Sequence, residues 1–193
     1  MLTQLSTLKA RLAIDQFDLT FDSILTNAIK AVSAQFDKEC NRTLARAVNA
    51  TQEFGAEDTE IRLASYPLES VAKFELKSNE TDGWVQQTAV EYLIRRNCVI
   101  SLRARLGFVR QQGRVTYTGG YVLPGTTPAA GQTVLPDDLE QAAVEQAAYW
   151  FQNRAMLGLV RNRPYQGDYQ QFAQLDLLLN VKAVLKRYER WMV

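Results

Sequence analysis

Most nucleophilic and acid–base catalysis in proteins leans on histidine, and this sequence of 193 residues contains none. That absence removes Ser-His-Asp and Cys-His nucleophile systems, histidine general bases and histidine-ligated zinc. Cys40 and Cys98 stand far apart without CxxC spacing. The count allows a disulfide, but two buried thiols in a reducing compartment is the favoured reading. Glu91, Asp137 and Asp138 are the acids most easily imagined in proton transfer. Asp137 and Asp138 follow Pro136 at a helix start, where acids complement the helix dipole, and Glu91 reads as a strand residue on a wet face. Gly119-Gly120 has a flanking tyrosine and no nearby base, so it fits backbone geometry better than a phosphate cradle. No catalytic, cofactor-binding or metal-binding constellation is expected, and no enzyme.

The remaining chemistry is electrostatic. The formal net charge is only +1, yet the charges are strongly sorted along the chain. Residues 53–91 carry nine acids against Arg62, Lys73 and Lys77, whereas 95–114 carry Arg95, Arg96, Arg103, Arg105, Arg110 and Arg114 with no acid. Residues 152–193 carry seven bases against Asp168, Asp176 and Glu189.

The elements that must position these groups are legible from periodicity. A hydrophobic fraction of 47% and a charged fraction of 22% fit one well-buried core with a lesser lobe. No apolar run approaches the ~20 residues needed to cross a bilayer. The opening Met1-Leu2-Thr3-Gln4-Leu5 matches no secretory leader. Leu5, Leu8 and Leu12 predict a short helix over 3–13, capped by Thr3, and Ile14-Asp15-Gln16-Phe17-Asp18 breaks it. A second helix is expected from a Thr20 cap to about Leu44, with Leu25, Ile29, Val32, Phe36 and Cys40 as its apolar stripe. From Thr59 to Thr118 the period falls to two, predicting five or six short antiparallel strands, each with one wet face. Pro124 to Thr133 reads as an exposed, mobile loop. Leu135-Pro136 opens a long helix reaching about Leu159, residues 161–171 look irregular, and a last helix carries Leu175, Leu178, Leu179, Val181, Leu185 and Tyr188.

The expected class is therefore α+β, with N- and C-terminal helices forming a helical bundle and an inserted antiparallel β section of short strands. Residues 1–50 and 134–193 would form one helical core, 58–122 the β section and 123–133 a flexible loop. A helix-turn-helix regulator is disfavoured, because the second helix opens with Asp22, Ser23 and Asn27 rather than a basic reading face.

The order of these signals resembles the head–tail connector, or adaptor and head-completion, proteins of long-tailed bacteriophages. The resemblance rests on Leu5-x-x-Leu8-Lys9-x-x-Leu12-x-Ile14, Asp22-x-x-Leu25, Cys40-Asn41-Arg42, and Ile61-x-Leu63-x-x-Tyr66-Pro67-Leu68-x-Ser70-Val71. It continues through Glu91-Tyr92, Val115-Thr116-Tyr117-Thr118-Gly119-Gly120-Tyr121, Leu135-Pro136-x-Asp138-Leu139-x-x-Ala142, Tyr149-Trp150-x-x-x-Arg154 and Gly167-Asp168-Tyr169. Val181-x-x-x-Leu185-x-x-Tyr188 closes it.

The resemblance implies an adaptor ring of about a dozen copies, seated between the portal and a stopper or tail-completion protein in the virion neck. Viral DNA would pass through its channel without sequence-specific binding. Assembly would take place in the host cytoplasm, with no membrane contact. A tail-completion or stopper protein of the same neck is the alternative, and a small DNA-binding regulator the reading from another class. Val181, Leu185, Arg187, Tyr188, Arg190 and Trp191 are the expected portal-docking residues, since Tyr, Trp and Arg are enriched at binding hot spots. Head-to-tail rings need two different complementary patches. The six arginines of 95–114 are therefore expected at a subunit interface, against a neighbour's acidic β surface, or along the channel. Pairing within one subunit is the competing reading, because surface ion pairs contribute only ~0 to 1 kcal/mol each.

Overall fold

A computed structural model describes residues 1–154 and 176–190. Its described residues form two compact units, one from Met1–Cys40 with the residues from Leu135 onward, the other from Asn41–Val134.

The first unit is helical. Helix α1 spans Leu5–Arg11 and α2 spans Asp22–Glu39, while α3 (Asp137–Gln152) and α4 (Leu179–Leu185) follow the β section. The expected stripe on α2 is buried: Leu25, Ile29, Val32, Phe36 and the following Cys40 are all at or below 1% exposure. Facing residues on α3 are small, with Ala142, Ala143, Ala147 and Ala148 buried beside Leu139 and Val144, which lets α2 and α3 approach closely. Gln146 is wholly buried on α3, and its Oε1 accepts a hydrogen bond from the Leu178 amide at 2.9 Å, fixing the entry to α4.

The expected bundle of terminal helices does not form, although the class is α+β. Helices α1 and α4 have seven residues each, about two turns, and only α2 and α3 are long enough to share a seam. Local backbone geometry sets these limits. Ala13 takes φ +55° just past α1, and Asn41 takes φ +49° just past α2. The chain therefore turns away at Cys40 instead of continuing to Leu44. Thr20 does not cap α2; Phe21 holds that position, and the Thr20 amide bonds to Asp18 Oδ1. Nor does Thr3 cap α1, which begins after Gln4. The predicted end of α3 near Leu159 and the irregular stretch at 161–171 lie outside the described residues.

The second unit is built on a four-stranded antiparallel sheet in the order β1 (Ala47–Gly55), β7 (Gln112–Gly119), β3 (Leu68–Lys77), β4 (Trp84–Gln87). A three-stranded sheet orders β2 (Glu60–Arg62), β6 (Val99–Leu102) and β5 (Tyr92–Arg95). Its inward residues Ile61, Ile100 and Leu102 join Leu63, Phe74, Val115 and Tyr117 in one core. Three of these strands are long rather than short, at nine, ten and eight residues for β1, β3 and β7. Strand β7 has no wet face from Val115 to Gly119: Val115 and Tyr117 pack in the core with Ile61 and Ile100, and Thr116 and Thr118 are buried as well. Strand β1 escaped the period-two reading because a register irregularity lies between Ala47 and Ala50, and Asn49 takes φ +54°.

The 123–133 segment is exposed along most of its length and returns at β9 (Thr133–Val134), which pairs in parallel with β8 (Tyr121–Val122). Both cysteines are free thiols, Cys40 buried and Cys98 partly covered.

Candidate functional site

Among the described residues, no group of three or more Cys, Asp or Glu side chains is placed to hold a metal ion. The three acids weighed for proton transfer have other partners or positions. Asp138 accepts a hydrogen bond from Tyr188 Oη at 2.7 Å, Glu91 accepts one from exposed Arg103, and Asp137 sits in the first turn of α3. What remains is surface.

The arginine-rich segment divides. Arg95 reaches Glu60 at 2.9 Å, Arg103 pairs with Glu91, and Arg114 meets Glu75 at 2.9 Å, so three arginines find acids of their own subunit. The first two pairs are solvent-exposed and hold their partners weakly. Arg96, Arg105 and Arg110 are exposed without an acidic partner among the described residues, with Arg96 and Arg110 in turns at φ +51° and +74°.

Arg114 is the firmly built member. Its guanidinium stacks 4.3 Å from the Trp84 ring centre while bonding to Glu75, whose side chain is 8% exposed. Lys73 donates to the same carboxylate at 2.9 Å. Burial alone would raise the pKa of Glu75, but the hydrogen bonds from Lys73 and Arg114 outweigh it and hold the carboxyl below its usual value. A depressed folded-state pKa stabilises the fold above the ordinary carboxylate range, and that contribution disappears as pH falls through the folded value. Glu75→Gln is therefore expected to cost about 1–2 kcal/mol at neutral pH. Urea melts at descending pH should show the gap from wild type closing in acid; a constant gap would contradict the assignment.

The expected docking segment is anchored to its own unit. Val181 and Leu185 are buried at 0% and 3%. The Arg190 amide donates to the Cys40 carbonyl at 2.8 Å. Tyr188, through Asp138, is tied to the start of α3, while Arg187 is exposed. Trp191 lies outside the described residues, as do Leu175 and Gly167-Asp168-Tyr169.

Sequence reasoning passed over one surface. The break after α1 displays Phe17 and Leu19 at 81% and 73% exposure. Beneath it the Lys9 ammonium, 3% exposed, donates to the carbonyls of Gln16 (3.1 Å) and Asp18 (2.8 Å) and pairs with Asp22 at 2.5 Å. Asp15 Oδ1 accepts from the Phe17 amide at 2.8 Å, and Asp18 Oδ1 from the Thr20 amide at 2.9 Å. The available signal was two large apolar residues among acids where helical periodicity had stopped.

The head completion protein family matches this chain over residues 2–191. The chain belongs to that family. Head completion is a structural task rather than an enzymatic one. The fold of this head completion protein is also found in chains of three solved particle structures, each 16% identical in sequence and each matched over 97% of this chain. They are the neck of an empty gene transfer agent particle computed with C6 symmetry (TM-score 0.62, 89% of that chain covered) and the virion of a native gene transfer agent particle (0.58, 89%). The third is the neck of the native particle computed with C12 symmetry (0.51, 91%). No curated protein matches the chain. No helix among the described residues of this head completion protein is long and apolar enough to cross a membrane.

Proposed function

We propose that this head completion protein is a structural subunit of a virion neck, forming an adaptor ring between portal and tail or stopper. The observation that carries the reading is family membership over nearly the whole chain, together with a fold shared with chains of particle structures whose necks were computed with cyclic symmetry. Its action is geometric: copies close head to tail into a ring of about twelve, and the two ring faces meet different partners. The genome passes through the centre. Free arginines on a channel wall would bind phosphates through counterion release and slow that passage. We therefore assign Arg96, Arg105 and Arg110 to subunit or partner contacts.

The portal-facing surface in this reading is the end of the chain, with Val181 and Leu185 as its internal anchor and Arg187 as an exposed contact residue. Met1–Cys40 with the residues from Leu135 onward act as the ring-wall body and Asn41–Val134 as the β unit between neighbours.

Light scattering and electron micrographs of the purified chain, alone and mixed with its portal, test the proposal. Annular assemblies, or addition of a ring of density beneath the portal, are expected. A chain that stays monomeric in both conditions overturns it.

A further inference from the structure

A lysine buried to 3% exposure is costly to desolvate, and Lys9 spends its contacts holding the break between α1 and α2 in shape. With the two aspartate turns, this presents Phe17 and Leu19 outward at little further cost in conformational entropy. Asp22 pairs with Lys9, and Asp15 and Asp18 stand beside the two apolar residues in sequence, each accepting a backbone amide. Hydrogen bonds from the side chain and then the backbone of Thr20 lower the pKa of Asp18, so it is firmly ionised. The result is a rigid, apolar, acidic knob.

The β unit of the same chain carries the opposite form. Strand β5 pairs only with β6, and its other edge is open among the described residues. Leu93 is 69% exposed there, with Tyr92 and Ile94 also exposed. Two clefts adjoin, of about 460 and 430 Å³, sharing Glu91 and Arg103. The first is lined by Tyr92, Leu93 and Leu102 among others, the second by Val90, Leu106 and Arg105. Among Arg95, Arg103, Arg105, Glu60 and Glu91 the cations prevail by one, and Arg105 has no acidic partner among the described residues. An open apolar edge strand invites aggregation unless something specific covers it.

We propose that the occupant is a second copy of this chain: Phe17 and Leu19 of one subunit seat in the two clefts of the next, with Asp15 and Asp18 facing Arg105. The proposal rests on the ring reading above and names its contact. The acidic partner of the arginine segment is then the α1–α2 break rather than the acidic strands, whose Glu60, Glu75 and Glu91 already hold arginines of their own subunit. Knob and cleft are different patches on one chain, as a head-to-tail contact requires.

Paired cysteines test this. In a Cys98→Ser background, Phe17→Cys and Leu93→Cys are introduced together and singly, and each protein is oxidised alone and mixed with portal. The double variant is expected to give a ladder of covalent multimers, and the single variants none. Phe17→Ser with Leu19→Ser should weaken self-association at least tenfold while leaving the thermal melt unchanged, because both side chains lie in solvent in the isolated chain. Rings visible in micrographs without a ladder overturn this contact and leave the ring reading standing. A disulfide from Phe17→Cys to a cysteine-substituted portal overturns it in favour of a portal-facing knob. Absence of any assembly, alone or on the portal, overturns both.

Discussion

Gly120→Ala is expected to lower the thermal midpoint by about 10 °C, the largest single effect predicted for the β unit. Gly120 takes φ +105°, a conformation that a side-chain-bearing residue adopts only under strain of about 1–3 kcal/mol. An added Cβ would also lie 2.6 Å from the Ala45 carbonyl oxygen and 2.9 Å from both Ala45 C and Arg46 Cα. Those atoms are backbone, and they are pinned. The Tyr121 amide donates to Leu44 O and the Arg46 amide to Tyr121 O, both at 2.8 Å, so the strand cannot retreat without breaking the bridge. Strain and overpacking together come to about 3–5 kcal/mol, a large share of the ~5–15 kcal/mol that holds a typical domain. Gly131→Ala is the control: its φ is +83° with nothing within 4 Å of the added atom, so only the strain applies. Calorimetry of the two variants should give at least twice the loss for Gly120→Ala, and equal losses would refute the pinned-backbone account.

Lys9→Met is expected to destabilise the helical unit by about 3 kcal/mol and to loosen the break that carries Phe17 and Leu19. Methionine keeps the length of the stem but removes the ammonium. The Gln16 and Asp18 carbonyls lose their donor, and Asp22 is left charged and unpaired at 28% exposure. That partial exposure places the cost near the low end for breaking a buried pair. Adding Asp22→Asn should return part of the loss, since it removes the orphaned charge, and a double-mutant cycle then isolates the pair. Hydrogen exchange at the Phe17 and Thr20 amides, both now bonded to aspartate oxygens, should quicken at least tenfold in Lys9→Met. If stability falls but exchange at those amides does not change, the lysine supports packing rather than the shape of the knob.

Helix α2 was readable because five apolar residues recur on one face over five turns, a pattern with no strand equivalent. Helix α3 was readable from Pro136 and the acids behind it. The same reasoning lengthened α1 and α4 and joined them into a bundle, since spacing records which residues share a face but not where the backbone turns. The positive φ at Ala13 and Asn41 has no marker in the periodicity. Strand β1 was hidden by its bulge, and the burial of Val115 and Tyr117 on β7 depends on residues as distant in sequence as Ile61 and Leu63.

The sequence by itself determined the α+β class, the lack of histidine chemistry, the apolar stripe of α2, and the order of motifs that leads to the head completion family. These are properties of composition and local spacing, which survive without knowledge of partners in space. Only the tertiary structure decided how the charges are used. Arg114 reaches Glu75 across 39 residues and Arg95 reaches Glu60 across 35, pairings that exist because particular strands lie side by side. It also decided that Lys9 is buried under a break in the chain, and that Phe17, Leu19 and the edge of β5 are left facing solvent. Charge and hydrophobicity are written residue by residue, whereas exposure depends on where the rest of the chain has gone.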